Sequence, residues 1–195
     1  MKKIFTTLVI ILFTVSGINA KGADNNKSNT SVNEQIGNAK VLGGFGLKLG
    51  DVFDIKSAKG KTKTTSGETL YSFSPSKKIK YFKKYFVLVT PESHKIREIW
   101  GIGSYKNQAS CEKNLDVLEV MLEKKYGKFN KPSFSMNSVK YVTDNFNKNR
   151  DIVIKCNGFV QEYSFYIMYK DSTLNELSKK EEAEIEAGKI DSSAL

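Results

Sequence analysis

The sequence predicts an α+β fold, in which a mainly antiparallel sheet carries one long helix across a face and a charged helix at the C-terminus. Two pairs of β-rich segments are each joined by a short turn, which is typical of antiparallel hairpins. Residues 107–127 repeat their apolar side chains at helical spacing. The order strands, helix, strands, helix indicates one α+β domain over residues 41–172 and a charged helical tail over residues 173–195.

The first 20 residues predict a cleavable signal peptide. Lys2 and Lys3 supply its positive start, residues 4–15 are apolar, and Ala20 is the small residue at the cut. An uncleaved membrane anchor is the alternative, but the apolar stretch is shorter than the roughly 20 residues that a spanning helix needs. We therefore expect an exported protein, either periplasmic or secreted.

A polar leader and a glycine-rich stretch come next. Residues 21–40 are rich in Asn and Ser and show no periodicity, so we expect a flexible leader. The glycines of residues 43–50 lack the Lys-Ser/Thr ending of a phosphate-binding loop, and we expect backbone turns around a short strand at residues 45–49. Residues 55–68 are polar and basic, and they predict a long exposed loop.

Three more strands are expected between this loop and the long helix. Residues 70–74 predict a short strand that ends before Pro75. Residues 85–90 and 95–102 are dense in β-branched and aromatic side chains. The turn at residues 91–94 joins these two segments into a hairpin.

The long helix has recognisable ends. Asn107 or Ser110 can accept a hydrogen bond from the first turn, and Gly127 can adopt the conformation that ends a helix. The side chains expected to face the sheet are Cys111, Leu115, Leu118, Leu122 and Tyr126.

A second group of strands follows the helix. Residues 138–142 predict a weak strand and residues 151–156 a stronger one. Asn157-Gly158 is a strong signal for a two-residue hairpin turn, after which residues 159–169 return. One face of that return strand should carry Tyr163, Phe165, Ile167 and Tyr169. The charged helix that follows is expected to dock only by its start, or to fray.

Two cysteines, Cys111 and Cys156, predict a disulfide bond, because an even pair in an oxidising compartment is normally oxidised. Cys156 alternates with Ile152 and Ile154 and should point to the apolar face of its strand. Cys111 lies on the inward face of the helix, so the two sulfurs should meet. Two separate buried thiols are the alternative. No Cys-X-X-Cys motif is present, which disfavours a redox enzyme.

The chain is basic, with a formal charge of +10 that falls to +8 when Lys2 and Lys3 are removed. Such a charge suits an anionic partner such as a phospholipid head group or a wall polymer. Export argues against nucleic acid as that partner. The alternative is that the charge serves only solubility.

Residues 77–86 (KKIKYFKKYF) interleave lysines with aromatic rings, a combination that suits anionic ligands. The candidate binding residues are Lys77, Lys78, Lys80, Tyr81, Lys83 and Lys84. Alternatively, the lysines protect a strand edge while Ile79, Phe82 and Phe86 enter the core.

Catalytic candidates are few. His94 is the only histidine and lies in a predicted tight turn, where a general base has neither a pocket nor an orienting partner. Asp51 and Asp54 lie three residues apart, but nothing in the sequence pairs them across a cleft as glycan hydrolysis requires. Two cysteines and one histidine cannot complete a zinc site without carboxylates. We therefore predict no catalytic residue, metal ion or cofactor.

The last three residues, Ser193-Ala194-Leu195, fit the pattern that PDZ domains bind by strand addition. A frayed tail is the alternative.

The segments FGLKLGD, YFVLVTPESHKIREIWGIG, LEKKYGKF and IDSSAL resemble those of small exported bacterial proteins of unassigned function. The resemblance implies an exported α+β domain and no particular site. The basic strand region favours a non-enzymatic envelope protein that binds an anionic component or another protein. The alternative is a cell-wall or glycan hydrolase that uses a carboxylate pair.

Overall fold

The computed structural model describes residues 37–132, 138–159 and 162–189. The predicted signal peptide, most of the leader and the Ser193-Ala194-Leu195 tail lie outside these ranges. The strands are β1 Gly43–Gly44, β2 Leu47–Lys48, β3 Gly60–Lys63, β4 Thr69–Ser72, β5 Lys84–Val89, β6 Ile96–Tyr105, β7 Ser138–Thr143, β8 Arg150–Phe159 and β9 Glu162–Asp171. The helices are α1 Gln108–Tyr126 and α2 Ser172–Lys189, and a short 3-10 helix covers Ile55–Ser57.

Seven strands form one sheet in the order β3-β4-β5-β6-β9-β8-β7, and every neighbouring pair is antiparallel. The predicted α+β class is therefore confirmed. Helix α1 packs across β6, β9, β8 and β7. In the part of the chain that the structure describes, no helix is long and apolar enough to cross a membrane.

The core lies between α1 and one face of the sheet. Phe165 and Ile167 of β9 are fully buried there, beside Leu115 of α1. Tyr169 is buried in the same cluster and Tyr163 packs at its margin, which confirms the predicted alternation along β9.

Helix α1 has the predicted ends. The Asn107 side chain accepts a hydrogen bond from the backbone N–H of Ser110 at 2.8 Å, so Asn107 is the N-cap. Gly127 ends the helix with a φ of 97°, and its N–H donates to the Glu123 carbonyl oxygen at 3.0 Å. A φ in this region favours glycine, because other residues clash there.

The predicted disulfide is confirmed. The sulfurs of Cys111 and Cys156 are 2.09 Å apart, and both residues are buried. The bond joins the first turn of α1 to β8 beneath it. It therefore ties the helix to the sheet at the face where the core lies.

The glycine-rich start forms a hairpin instead of one strand. Strands β1 and β2 pair directly, and the two residues between them, Phe45 and Gly46, have φ values of 59° and 93°. Two successive positive φ values define the tight turn that suits a hairpin. The Phe45 ring is buried against Phe82 and Tyr85, so the hairpin covers the β5 end of the core.

The segment 55–68 is exposed as predicted, but it is not a continuous loop. It contains the 3-10 helix at Ile55–Ser57 and strand β3, all of whose residues are exposed at the edge of the sheet. The polar, lysine-rich sequence does not predict this strand, because β3 buries neither of its faces and therefore shows no alternation of apolar residues.

The turn predicted at Asn157-Gly158 is not there. Strands β8 and β9 continue to pair as far as Phe159 and Glu162, and Asn157 lies opposite Ser164 within the ladder. Burial of the strands decides the register here, and the local turn preference yields to it.

Helix α2 is attached at its middle as well as at its start. Its Glu181 carboxylate accepts hydrogen bonds from the backbone N–H groups of Glu92 and Ser93, at 2.7 and 3.2 Å. The Asn175 side chain accepts a hydrogen bond from Arg97 of β6 at 2.8 Å. The expectation of a helix held only by its first residues therefore differs from the structure.

Candidate functional site

The connection between β4 and β5 is held in one conformation by Tyr85, the second residue of β5. The Tyr85 hydroxyl oxygen lies 3.2 Å from the Ile79 N–H nitrogen and 3.3 Å from the Ile79 and Phe82 carbonyl oxygens. Phe82 is buried and stacks on Phe165 with ring centroids 5.4 Å apart. The lysines of this connection therefore project from a backbone that is anchored to the core.

An open cleft of about 460 Å³ lies between this connection and the start of β3. Four lysines line it, namely Lys59, Lys78, Lys83 and Lys84, and all four are exposed. Its other walls are the aromatic residues Phe73, Phe82, Tyr85 and Phe86, with Ser72, Ser74 and Pro75. We refer to it as the lysine cleft. No carboxylate is among its lining residues, so its charge is entirely positive.

The charge of the whole chain is concentrated around this cleft. Residues 55–84 contain nine lysines and one carboxylate, a formal charge of +8. This equals the charge expected for the chain without its first 20 residues. The other residues of 21–195 therefore have balanced charges, and the positive potential belongs to the β3-β4-β5 end of the sheet.

The single carboxylate of this segment, Glu68, does not neutralise the lysines. It forms a salt bridge with Arg97, which is buried. Burial would raise the pKa of Glu68, but the hydrogen bonds from Arg97 and Ser66 outweigh this and lower it, so the carboxylate stays ionised. Among the described residues, none of the four lysines of the cleft forms a salt bridge.

The structure brings three of the six predicted binding residues together. Lys78, Lys83 and Lys84 line the cleft, whereas Lys77, Lys80 and Tyr81 do not. The Tyr81 ring contacts Phe165 edge-on at 6.5 Å between centroids, and the Lys80 ammonium lies 5.0 Å from the Tyr81 ring centre. Tyr81 therefore packs at the margin of the core, and Lys80 is exposed beside its ring.

Sequence reasoning missed Lys59. Its backbone N–H donates to the Ser72 carbonyl oxygen at 2.9 Å, which brings Lys59 beside β4 just before β3 begins. No local pattern marks this residue, because its place depends on the pairing of β3 with β4.

The alternative that the lysines protect a strand edge does not describe their positions. Strand β5 lies inside the sheet, between β4 and β6, and Lys77 to Lys83 precede it. Phe82 does enter the core and Ile79 packs against it, but Phe86 points to the opposite face of the sheet. Edge protection therefore leaves these lysines unexplained.

His94 and Asp54, two of the catalytic candidates, take part in local backbone structure. His94 has a φ of 50° in the turn between β5 and β6, and its carbonyl oxygen accepts a hydrogen bond from the Phe53 N–H at 2.9 Å. The Asp54 carboxylate caps the 3-10 helix by accepting a hydrogen bond from the Lys56 N–H at 3.0 Å. Asp51 is exposed, and neither aspartate lines the lysine cleft.

In the described ranges, no group of three or more His, Cys, Asp or Glu side chains is placed to hold a metal ion.

Comparisons with family models, curated proteins and solved structures give no match for the chain. The function must therefore be inferred from the geometry of the lysine cleft.

Proposed function

We propose that this protein is a non-enzymatic binding module for an anionic component of the cell envelope, which it binds in the lysine cleft. The proposal is based on one observation: four exposed lysines line the same cleft, and none of the residues that line it is a carboxylate. Several cations on a rigid backbone attract a polyanion more strongly than scattered surface charges do.

The proposal includes export to an oxidising compartment. The disulfide between Cys111 and Cys156 supports such a compartment, since these bonds are rare in the reducing cytosol. Mass spectrometry of the protein purified from the cells that naturally produce it measures the N-terminus directly. Loss of the first 20 residues is the expected result, and an intact N-terminus would contradict it.

Binding is tested with two immobilised anionic polymers, polygalacturonate and polyphosphate, across a salt series. We expect retention at 0.1 M salt and release well below 1 M, because the screening length falls from about 10 Å to about 3 Å over that range. The variant Lys78→Glu, Lys83→Glu, Lys84→Glu should weaken binding about tenfold or more, which corresponds to about 1.4 kcal/mol.

A matched control reverses three exposed lysines elsewhere, Lys113, Lys128 and Lys148, which changes the net charge equally. If binding depends on net charge alone, both triple variants will lose it to the same extent, and the cleft is then not the site. If both variants bind like the unmodified protein, the proposed function is wrong.

A further inference from the structure

The sheet has a second face, opposite α1, which carries an ordered apolar surface. One cross-strand row takes a residue from each of five neighbouring strands: Phe86, Trp100, Met168, Val153 and Tyr141. The next row consists of Lys84, Ile102, Tyr166, Lys155 and Val139. We call these two rows the apolar band. At about 4.8 Å between strands, the band runs roughly 19 Å from β5 to β7.

The band is accessible. Apart from Met168, which is buried, its side chains are partly or fully exposed. Helix α1 packs on the other face, and α2 reaches β6 at Arg97, beyond the first row. Within the described ranges, the two helices therefore leave the band open.

The aromatic rings of the band are held in fixed positions. The Trp100 indole N–H donates to the Glu98 carboxylate at 2.7 Å, and Glu98 also pairs with Lys170 at 3.4 Å. The Trp100 and Tyr166 rings meet edge to face, with centroids 6.3 Å apart. A ligand that stacks on Trp100 would not have to order this ring first.

The second row adds positive charge. Lys155 lies over the Tyr166 ring at 4.9 Å and forms no salt bridge with any described residue. Burial, and then the nearby Lys170, lower the pKa of Lys155, so an anion placed beside it would relieve an unfavourable charge. At the β5 end, Lys84 and Phe86 belong both to the band and to the lysine cleft.

The shape of the band restricts its occupant. Strands β5, β6, β9 and β8 are paired on both sides, so a peptide cannot join the sheet there as an added strand. On the outer side of the edge strand β7, Tyr141 already exchanges two backbone hydrogen bonds with Asn130. A charged row containing Glu98, Lys170 and Asp151 borders the first row, which does not suit insertion into lipid. An extended polymer whose rings present a face of C–H groups and carry anionic substituents fits both the aromatic side chains and the two lysines.

We propose that the apolar band and the lysine cleft together bind one extended acidic polysaccharide, one of whose sugar rings lies on Trp100 and whose acidic groups pair with Lys84 and Lys155. This inference rests on the proposed function, because it names the ligand class of the same surface. The C–H groups on one face of a sugar ring suit the negative face of an aromatic ring. A single sugar cannot reach across the band, so affinity should increase with chain length.

The test measures binding of oligogalacturonates of two and six units by isothermal titration calorimetry. We expect the hexamer to bind about tenfold tighter than the dimer, and Trp100→Ala to remove most of that difference. Phe146→Ala is the control, since this residue is 62% exposed and lies outside the band. A hexamer advantage that survives Trp100→Ala would overturn the inference.

The unmodified protein provides a second measurement, because Trp100 is the only tryptophan of the chain. Binding of the hexamer should shift its fluorescence emission, whereas polyphosphate, which has no rings, should not. Oligothymidylate or phosphatidylglycerol vesicles that bind tighter than the hexamer and shift the emission would instead identify a nucleic acid or a lipid surface, and would refute the polysaccharide. If only the lysine variant loses binding and Trp100 never responds, the proposed function stands and this inference fails.

Discussion

Glu181 should hold the middle of α2 against the domain, and Glu181→Ala should remove this attachment. The carboxylate is only 6% exposed. One of its oxygens accepts from the N–H groups of Glu92 and Ser93, and the other accepts from the Ser93 hydroxyl at 2.5 Å. Removing the side chain leaves these three donors without their acceptor at a part-buried position.

The expected loss is about 2–3 kcal/mol of unfolding free energy, in line with hydrogen bonds to a charged group. For a domain of this size, each kcal/mol lowers the melting temperature by roughly 2–4 °C, so a decrease of about 4–12 °C is expected. Thermal unfolding followed by circular dichroism measures it. Glu184→Ala is the matched control, because Glu184 is exposed and its pair with Lys180 at 3.7 Å contributes about 0.5 kcal/mol or less.

The same carboxylate predicts a pH dependence. Burial alone would raise the pKa of Glu181, but the hydrogen bonds from Ser93 and Glu92 outweigh it and hold the pKa below the ordinary value of 4.5. The unfolded chain therefore takes up this proton at a higher pH than the folded chain. Glu181 stabilises the fold above pH 4.5, and that contribution is lost as the pH falls through the lowered pKa. Equal melting temperatures for Glu181→Ala and Glu184→Ala at neutral pH would refute the reasoning.

Two further predictions concern the core. Replacing Cys111 and Cys156 by alanine should cost about 4 kcal/mol, because the bond closes a loop with a sequence separation of 45. Urea unfolding with and without reductant checks this, and a variant as stable as the oxidised protein would contradict it. Gly101→Ala should cost about 1–3 kcal/mol, because the new methyl would lie 2.7 Å from the Phe45 ring. Gly188→Ala, where nothing lies within 4 Å, is its control and should not destabilise.

The strands of the core were predictable because apolar residues alternate with polar ones along them. The same burial overrides the local turn signal at Asn157-Gly158. The observed register places Cys156 opposite Phe165 and Ile154 opposite Ile167, so buried side chains meet buried side chains. A turn at Asn157-Gly158 would shift β9 along β8 and separate these pairs. Three-dimensional packing therefore decides where this hairpin ends, and a two-residue pattern cannot contain that information.

The lysine cleft was predictable only in part, because its charge also depends on where the tertiary structure places Glu68. The run at residues 77–86 is visible in the sequence, but its charge would be weakened if Glu68 faced it. The irregularity after Leu88 prevents this, because Leu88 pairs with Glu98 and Val89 pairs with Ile96, which leaves Arg97 as an extra residue. Arg97 then binds Glu68 and Asn175. A bulge in one strand thus removes the single carboxylate of a neighbouring segment from the lysines, and the cleft keeps its positive charge.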